Sequence, residues 1–159
     1  MADTDRLIAV NLDDAGLPAP TPEVEQERRV ALFDLLEENS FGLADADAPP
    51  GPYVLNLSIA DGRLVMEILT ADEQPIKAHL LSLSPFQQII KDYFQICRSY
   101  FDAVKRLPPA QIEAIDMGRR GIHDEGARTL LDRLEGKIET DMATARRLFT
   151  LICVLHFKG

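Results

Sequence analysis

The chain has 159 residues, of which 46% are hydrophobic and 27% charged, a globular balance long enough to bury a core without disulfide or metal support. The longest apolar run, Leu148 to Phe157 interrupted by Thr150 and His156, is too short to cross a bilayer, and the acidic start MADTDRLIAVNLDD lacks the basic and apolar segments of a secretory signal. Residues 1–84 carry 16 acids and 5 bases, a balance of −11, and residues 85–159 carry 10 acids and 12 bases, a balance of +2, for a net charge of −9; the acidic half repels phosphate backbones and argues against a nucleic-acid partner.

In chain order, Arg6 to Asp13 alternates with Ile8, Val10 and Leu12 on one side and predicts a half-buried strand. A connector follows from Gly16 to Pro22. Thr21-Pro22-Glu23 then supplies a capping hydroxyl, a proline suited to the first helical position and an acid facing the positive helix end. The helix is expected to run to about Glu38, with an apolar stripe of Val24, Ala31, Leu32, Leu35 and Leu36 and a stop at Asn39. A second connector, Ala44 to Pro52, leads into YVLNLSIADGRLVMEIL. There Asp61-Gly62 provides the positive φ angles of a two-residue type I′ turn. Pairing Ala60 with Arg63 sets Ile59 against Leu64, Leu57 against Met66 and Leu55 against Ile68, an apolar face whose agreement with the turn fixes the register. A further strand, Ile76 to Leu83, extends the meander.

Ser84-Pro85-Phe86-Gln87 reads as a capping box opening a long helix. Phe86, Ile89, Ile90, Tyr93, Phe94, Cys97, Tyr100, Phe101 and Val104 keep helical spacing, and this face is expected to cover the sheet. Pro108-Pro109 ends that helix and starts another, and after Gly136 a last helix runs from about Asp141 to Phe157, buried between the others, with Arg146 and Arg147 near its exposed start. The expected fold class is α+β: residues 1–159 form one two-layer domain whose small antiparallel sheet, a strand, a helix and a three-strand meander, fills the acidic half 1–84 and is covered by helices of the half 85–159. Cys97 and Cys153 fall on apolar helical positions without CxxC spacing and read as buried free thiols of a reducing compartment, which sets the expected location as cytoplasmic.

One stretch invites a functional hypothesis: Ile115 to Gly126, with Arg119, Arg120, His123 and three acids among three glycines. As a helix it would carry Asp116, Arg120, Asp124, Arg128 and Asp132 as a solvated ion-pair stripe. Ile115, Gly118, Ile122, Gly126 and Leu130 would lie opposite, the glycines admitting a close neighbour. Each interior glycine costs about 1 kcal/mol against alanine, so the segment needs either tight packing or a use for its backbone. If it opens, Arg119, Arg120 and His123, with Asp124 beside them, form a site for a phosphate or carboxylate. His123-Asp124-Glu125 diverge on a helix and match no metal-ligand spacing, so no metal or cofactor is expected. His79 is expected to share a sheet face with Glu67, and His156 to sit in the core. GxSxG, P-loop and GxGxxG signatures are missing from the sequence, which leaves no catalytic residue to name.

The segments EAIDMGRRGIHDEGA, SPFQQIIKDYF and ARRLFTLICVLHF resemble an uncharacterised alphaproteobacterial protein family with the placeholder name UPF0262, over almost the whole chain from RLIAV to the terminus. The resemblance implies a bacterial cytoplasmic protein and carries no activity, cofactor or catalytic residue with it. Two readings of function follow from the residues. The leading one is a non-enzymatic adaptor or regulatory protein that binds a protein partner, another copy of itself included, through the glycine-punctuated helix. The other is a binder or enzyme of a small anion. They separate on whether Arg119, Arg120 and His123 converge on a concave pocket or diverge along a convex helix.

Overall fold

The computed structural model describes residues 3–15 and 17–156. Gly16, where the first connector begins, and Phe157, the expected end of the last helix, lie outside them. The elements are β1 (Leu7–Leu12), α1 (Pro22–Glu37), β2 (Phe41–Leu43), β3 (Tyr53–Ala60), β4 (Arg63–Thr70), β5 (Pro75–Ser82), α2 (Gln87–Arg106), α3 (Pro109–Leu134), β6 (Ile138–Thr140) and α4 (Met142–Leu155). The fold is α+β, with a small, mostly antiparallel sheet and four helices.

The hairpin forms in the expected register, Ala60 opposite Arg63 through Leu55 opposite Ile68. Asp61 and Gly62 both adopt positive φ, 53° and 74°, as the type I′ turn demands. Leu55, Leu57, Leu64, Met66 and Ile68 all turn into the core. The sheet order is β1-β3-β4-β5, and β1 runs parallel to β3 rather than antiparallel. A parallel partner requires a crossover between the strands, which α1 and β2 supply.

Both ends of α1 follow from local chemistry. Thr21 is extended and its hydroxyl accepts from the Val24 amide at 3.3 Å, with Pro22 in the first turn. At the other end Asn39 stops the helix through its side chain: Nδ2 donates to the carbonyls of Leu35 (2.8 Å) and Leu7 (3.0 Å), and Oδ1 accepts from the Leu7 amide (2.7 Å). One amide thereby closes the helix and locks it to β1. Leu36, expected in the apolar stripe, is 43% exposed because Leu35, one helical step away, takes the inward position.

Four further expectations are corrected. Ser84–Phe86 is a single 3₁₀ turn with no capping side chain, and α2 proper starts at Gln87. Ser84 lies inside that turn, so it lacks the non-helical backbone of an N-cap. The apolar face of α2 packs mainly against α3, not the sheet; α4 reaches β3 and α1 reaches β1. His79 pairs with Met66, on the core face, while Glu67 pairs with Ala78. His156 is only half-buried, just past the end of α4. The ribbon of β2 with β6 has no counterpart in the sequence reading, since three-residue strands about a hundred positions apart show no alternation to detect.

Glycines do not interrupt α3, which is continuous over 26 residues. At Gly126 a Cβ would stand 2.5 Å from the Phe149 ring, and at Gly118 it would stand 3.5 Å from Ile96. Gly126 therefore serves packing within the molecule, since α4 approaches α3 where it leaves room for Phe149, whereas a Cβ at Gly118 would make only an ordinary contact with Ile96. Asp141 caps α4 by accepting from the Thr144 amide at 2.7 Å, and from Leu148 onward that helix is buried all round.

Candidate functional site

A groove of about 440 Å³ opens between α1, α3 and α4. Its walls hold all four residues singled out in the sequence, Arg119, Arg120, His123 and Asp124 from α3, together with Glu27 and Asp34 from α1 and Arg146 and Arg147 from α4. Four arginines thus face three carboxylates. The convergence comes from helical spacing: Arg119, Arg120, His123 and Asp124 occupy two adjacent turns, and the Gly126–Phe149 contact draws α4 close enough for Arg146 and Arg147 to complete the wall.

The arginines are not equivalent. Arg119 points inward and is only 22% exposed. Its Nη1 donates to Glu27 Oε1 at 2.8 Å, its Nη2 to Asp116 Oδ1 at 3.1 Å, and its guanidinium lies 4.4 Å from the Tyr100 ring centroid. Glu27, which Arg119 holds, also accepts from the Cys97 thiol at 3.7 Å. Arg120, 77% exposed, pairs with the other oxygen of Asp116 at 2.9 Å. Asp124 accepts from Arg146 Nε at 2.6 Å. Arg147 is half-buried on the groove wall and makes no ion pair among the described residues.

His123 lies edge-on to the rings of Tyr93 and Phe149, with centroids 5.3 and 6.3 Å away. Burial pushes its pKa below the ordinary imidazole value; the Glu27 carboxylate opposes this and the charge of Arg119 adds to it. The ring is therefore neutral at pH 7 and presents an uncharged polar edge among charged groups. No cluster of three or more His, Cys, Asp or Glu able to hold a metal occurs among the described residues. No helix among them is long and apolar enough to cross a membrane.

Sequence reasoning missed the contribution of α1. Glu27 and Arg119 are separated by 92 positions, and no local pattern links them. The dibasic Arg146-Arg147 was a visible signal, but its convergence with Arg119 and Arg120 depends on how α4 packs.

Comparison with known proteins adds a family without adding an activity. Residues 4–158 match the profile of the uncharacterised protein family UPF0262. A UPF0262 protein of Ruegeria pomeroyi is 64% identical over 157 residues, covering 97% of this chain and 98% of that protein. One from Jannaschia sp. is 66% identical over 148 residues, 93% and 95% of the respective chains, and one from Dinoroseobacter shibae is 62% identical over 154 residues, 95% and 97%. No solved structure gives a significant match. With near full-length identity at this level, the chain belongs to the UPF0262 family.

Proposed function

We propose that the protein binds a small anionic ligand, a phosphate or a carboxylate, in the groove between α1, α3 and α4. The observation that carries this reading is that guanidinium groups from two helices meet on one concave surface and that one of them, Arg147, has no carboxylate partner among the described residues. Arg120, mostly exposed, can swing from Asp116 to join it, and forked donors of this kind match oxyanions. Arg119 acts from behind as a positioning residue that braces the α1–α3 wall through Glu27 and Asp116. The two buried free thiols support a reducing, cytoplasmic setting.

The test is a thermal-shift and calorimetric survey of phosphates, nucleotides and dicarboxylates with the parent chain, Arg147→Gln and Arg120→Gln. A ligand of the groove raises the parent's midpoint, and losing one charge-assisted hydrogen bond weakens its binding by about 1.5–3 kcal/mol in either variant. An equal response from parent and variants removes the site from this groove.

A protein partner, including a second copy of the chain, is a second reading, and it now leans on α1. Of the glycines of α3 only Gly126 is taken up internally, by Phe149, and the larger exposed apolar side chains lie on α1, at Phe33 (68%), Val30 and Leu36. Sedimentation equilibrium of the parent and Phe33→Asp distinguishes the two: self-association lost on substitution supports an α1 interface, and monomers throughout count against the homo-oligomer.

A further inference from the structure

Where β5, the loop after β2 and the turn from α3 into β6 come together, they form a second pocket of about 580 Å³ that shares no residue with the groove. Lys77 pairs with Ile68 and His79 with Met66, so both β5 residues project from the core face of the sheet. β5 is an edge strand and bulges at Ile76, which has no opposite residue between the Leu69–Pro75 and Ile68–Lys77 pairs. Such bulges re-aim the side chains beside them. Across the pocket the Ala44 amide donates to the Lys137 carbonyl at 3.1 Å, which ties the loop to the turn.

His79 is 8% exposed, yet its ring makes no hydrogen bond among the described residues. Buried polar groups are almost always paired. The ring is not sealed in, and the edge left open lines this pocket. Lys77 and Lys137, both exposed on the pocket wall, form no ion pair among the described residues; Lys137 Nζ donates to the Arg133 carbonyl at 3.3 Å, which leaves its charge uncompensated. Both lysines stand close enough to help hold the ring neutral, after burial itself, whereas Asp45 and Asp47, also on the wall, exert no comparable pull on it. Asp45 serves its own loop, accepting from the Asp47 amide at 2.9 Å. The histidine end of the pocket is therefore its positive end.

We propose that this end binds the phosphoryl group of a small phosphate monoester, with Lys77 and Lys137 matching its two charges and the His79 ring N–H donating to one of its oxygens. Lysine is a compact point charge and a common phosphate ligand. Two of them suit a dianion better than a singly charged carboxylate. Half-buried Leu43 and Ile76, which also line the pocket, receive the rest of the ester. Bound there, the phosphoryl charge offsets the two lysines and favours the protonated ring, so ligand binding and proton uptake at His79 are linked. This inference is independent of the anion reading of the groove, since no arginine of the groove takes part in it.

Phenyl phosphate serves as the probe, with phenol, which lacks the phosphoryl group, as its neutral counterpart. The chain has three histidines, so each imidazole is followed separately in carbon–proton spectra of the ¹³C-labelled full chain. Saturating phenyl phosphate is expected to raise the His79 titration midpoint by about one pH unit, equivalent to about tenfold tighter binding to the protonated ring. Lys77→Gln and Lys137→Gln should each weaken the ester's effect on His79 about tenfold, the low end for a charge-assisted hydrogen bond, and leave unchanged any response of His123, which reports on the groove. Both lysines are exposed, so these variants keep the fold and do not touch the buried histidine. The proposal is overturned if His79 does not respond to the ester, if it responds equally in both lysine variants, or if phenol produces the same response at the same concentration. A response confined to His123 places the ester in the groove and overturns it as well.

Discussion

Arg119 and Arg120 are adjacent in sequence and opposite in physical role. Arg119 sits between two carboxylates that are 13% and 19% exposed, so its removal strands Glu27 and Asp116 in a partly buried setting. Arg120 shares Asp116 from the solvent side, where screening leaves an ion pair worth about 0–1 kcal/mol. Arg119→Gln is therefore expected to destabilise the fold by about 2–4 kcal/mol, toward the buried-pair range, and Arg120→Gln by under about 1 kcal/mol, as measured by urea unfolding. Equal, small effects would show that Arg119 is no brace. The sequence pattern itself suggested the exposed partner alone: Asp116 and Arg120 stand four residues apart, as the charge stripe predicts. Asp124, a member of the same stripe, pairs instead with Arg146 of α4, because that guanidinium reaches it across the groove.

At the scale of elements, the glycines of α3 set up a matched experiment. Gly126 lies where a Cβ would meet Phe149 at 2.5 Å, whereas Gly121 has nothing within 4 Å of its Cβ position. Gly126→Ala must displace a fully buried aromatic ring and is expected to destabilise by about 1–3 kcal/mol through overpacking. Gly121→Ala, in the same helix, should stabilise by up to about 1 kcal/mol, because alanine restricts the unfolded chain at no packing cost. Thermal unfolding of both variants checks the pair, and a stabilising Gly126→Ala would mean that α3 and α4 are not in close contact there. Amphipathic periodicity revealed that α2 is a helix and turn chemistry revealed the hairpin, whereas the glycines of α3 left Gly118 to Gly126 open between helix and loop until the packing was seen. The partner of each helix was another matter. The apolar stripe of α2 would suit a sheet or a helix equally, and it meets α3 because α4 already stands against β3.

Across the whole molecule, two histidines tie stability to pH. Burial holds the pKa of His123 below 6.5, and burial together with Lys77 and Lys137 does the same for His79. Below pH 6.5 the unfolded chain takes up protons that the folded chain refuses, so folding stability falls as pH drops through 6.5 and the loss levels off once the depressed folded-state values are passed. The urea midpoint is expected to be lower at pH 5.5 than at pH 7.5, and His123→Gln should flatten part of that slope. A midpoint independent of pH in this window would mean that neither imidazole is held neutral by the fold.

The sequence by itself determined the local structure: the Thr21 cap, the Asp61-Gly62 turn with its register, and the helices broken at Pro108-Pro109 and around Gly136. Each depends on φ/ψ preferences, hydrogen bonds or periodicities that act over a few residues. It also marked Arg119, Arg120, His123 and Asp124 as a group, but on the premise that the glycines open the segment; the four come together instead within two turns of a continuous helix. Tertiary structure alone decided that β1 pairs parallel with β3, that β2 finds β6, and that Glu27, Arg146 and Arg147 close the groove. Those contacts join positions far apart in the chain. Their choice follows from which apolar faces bury together best, a property of the packed whole that no short window of sequence contains.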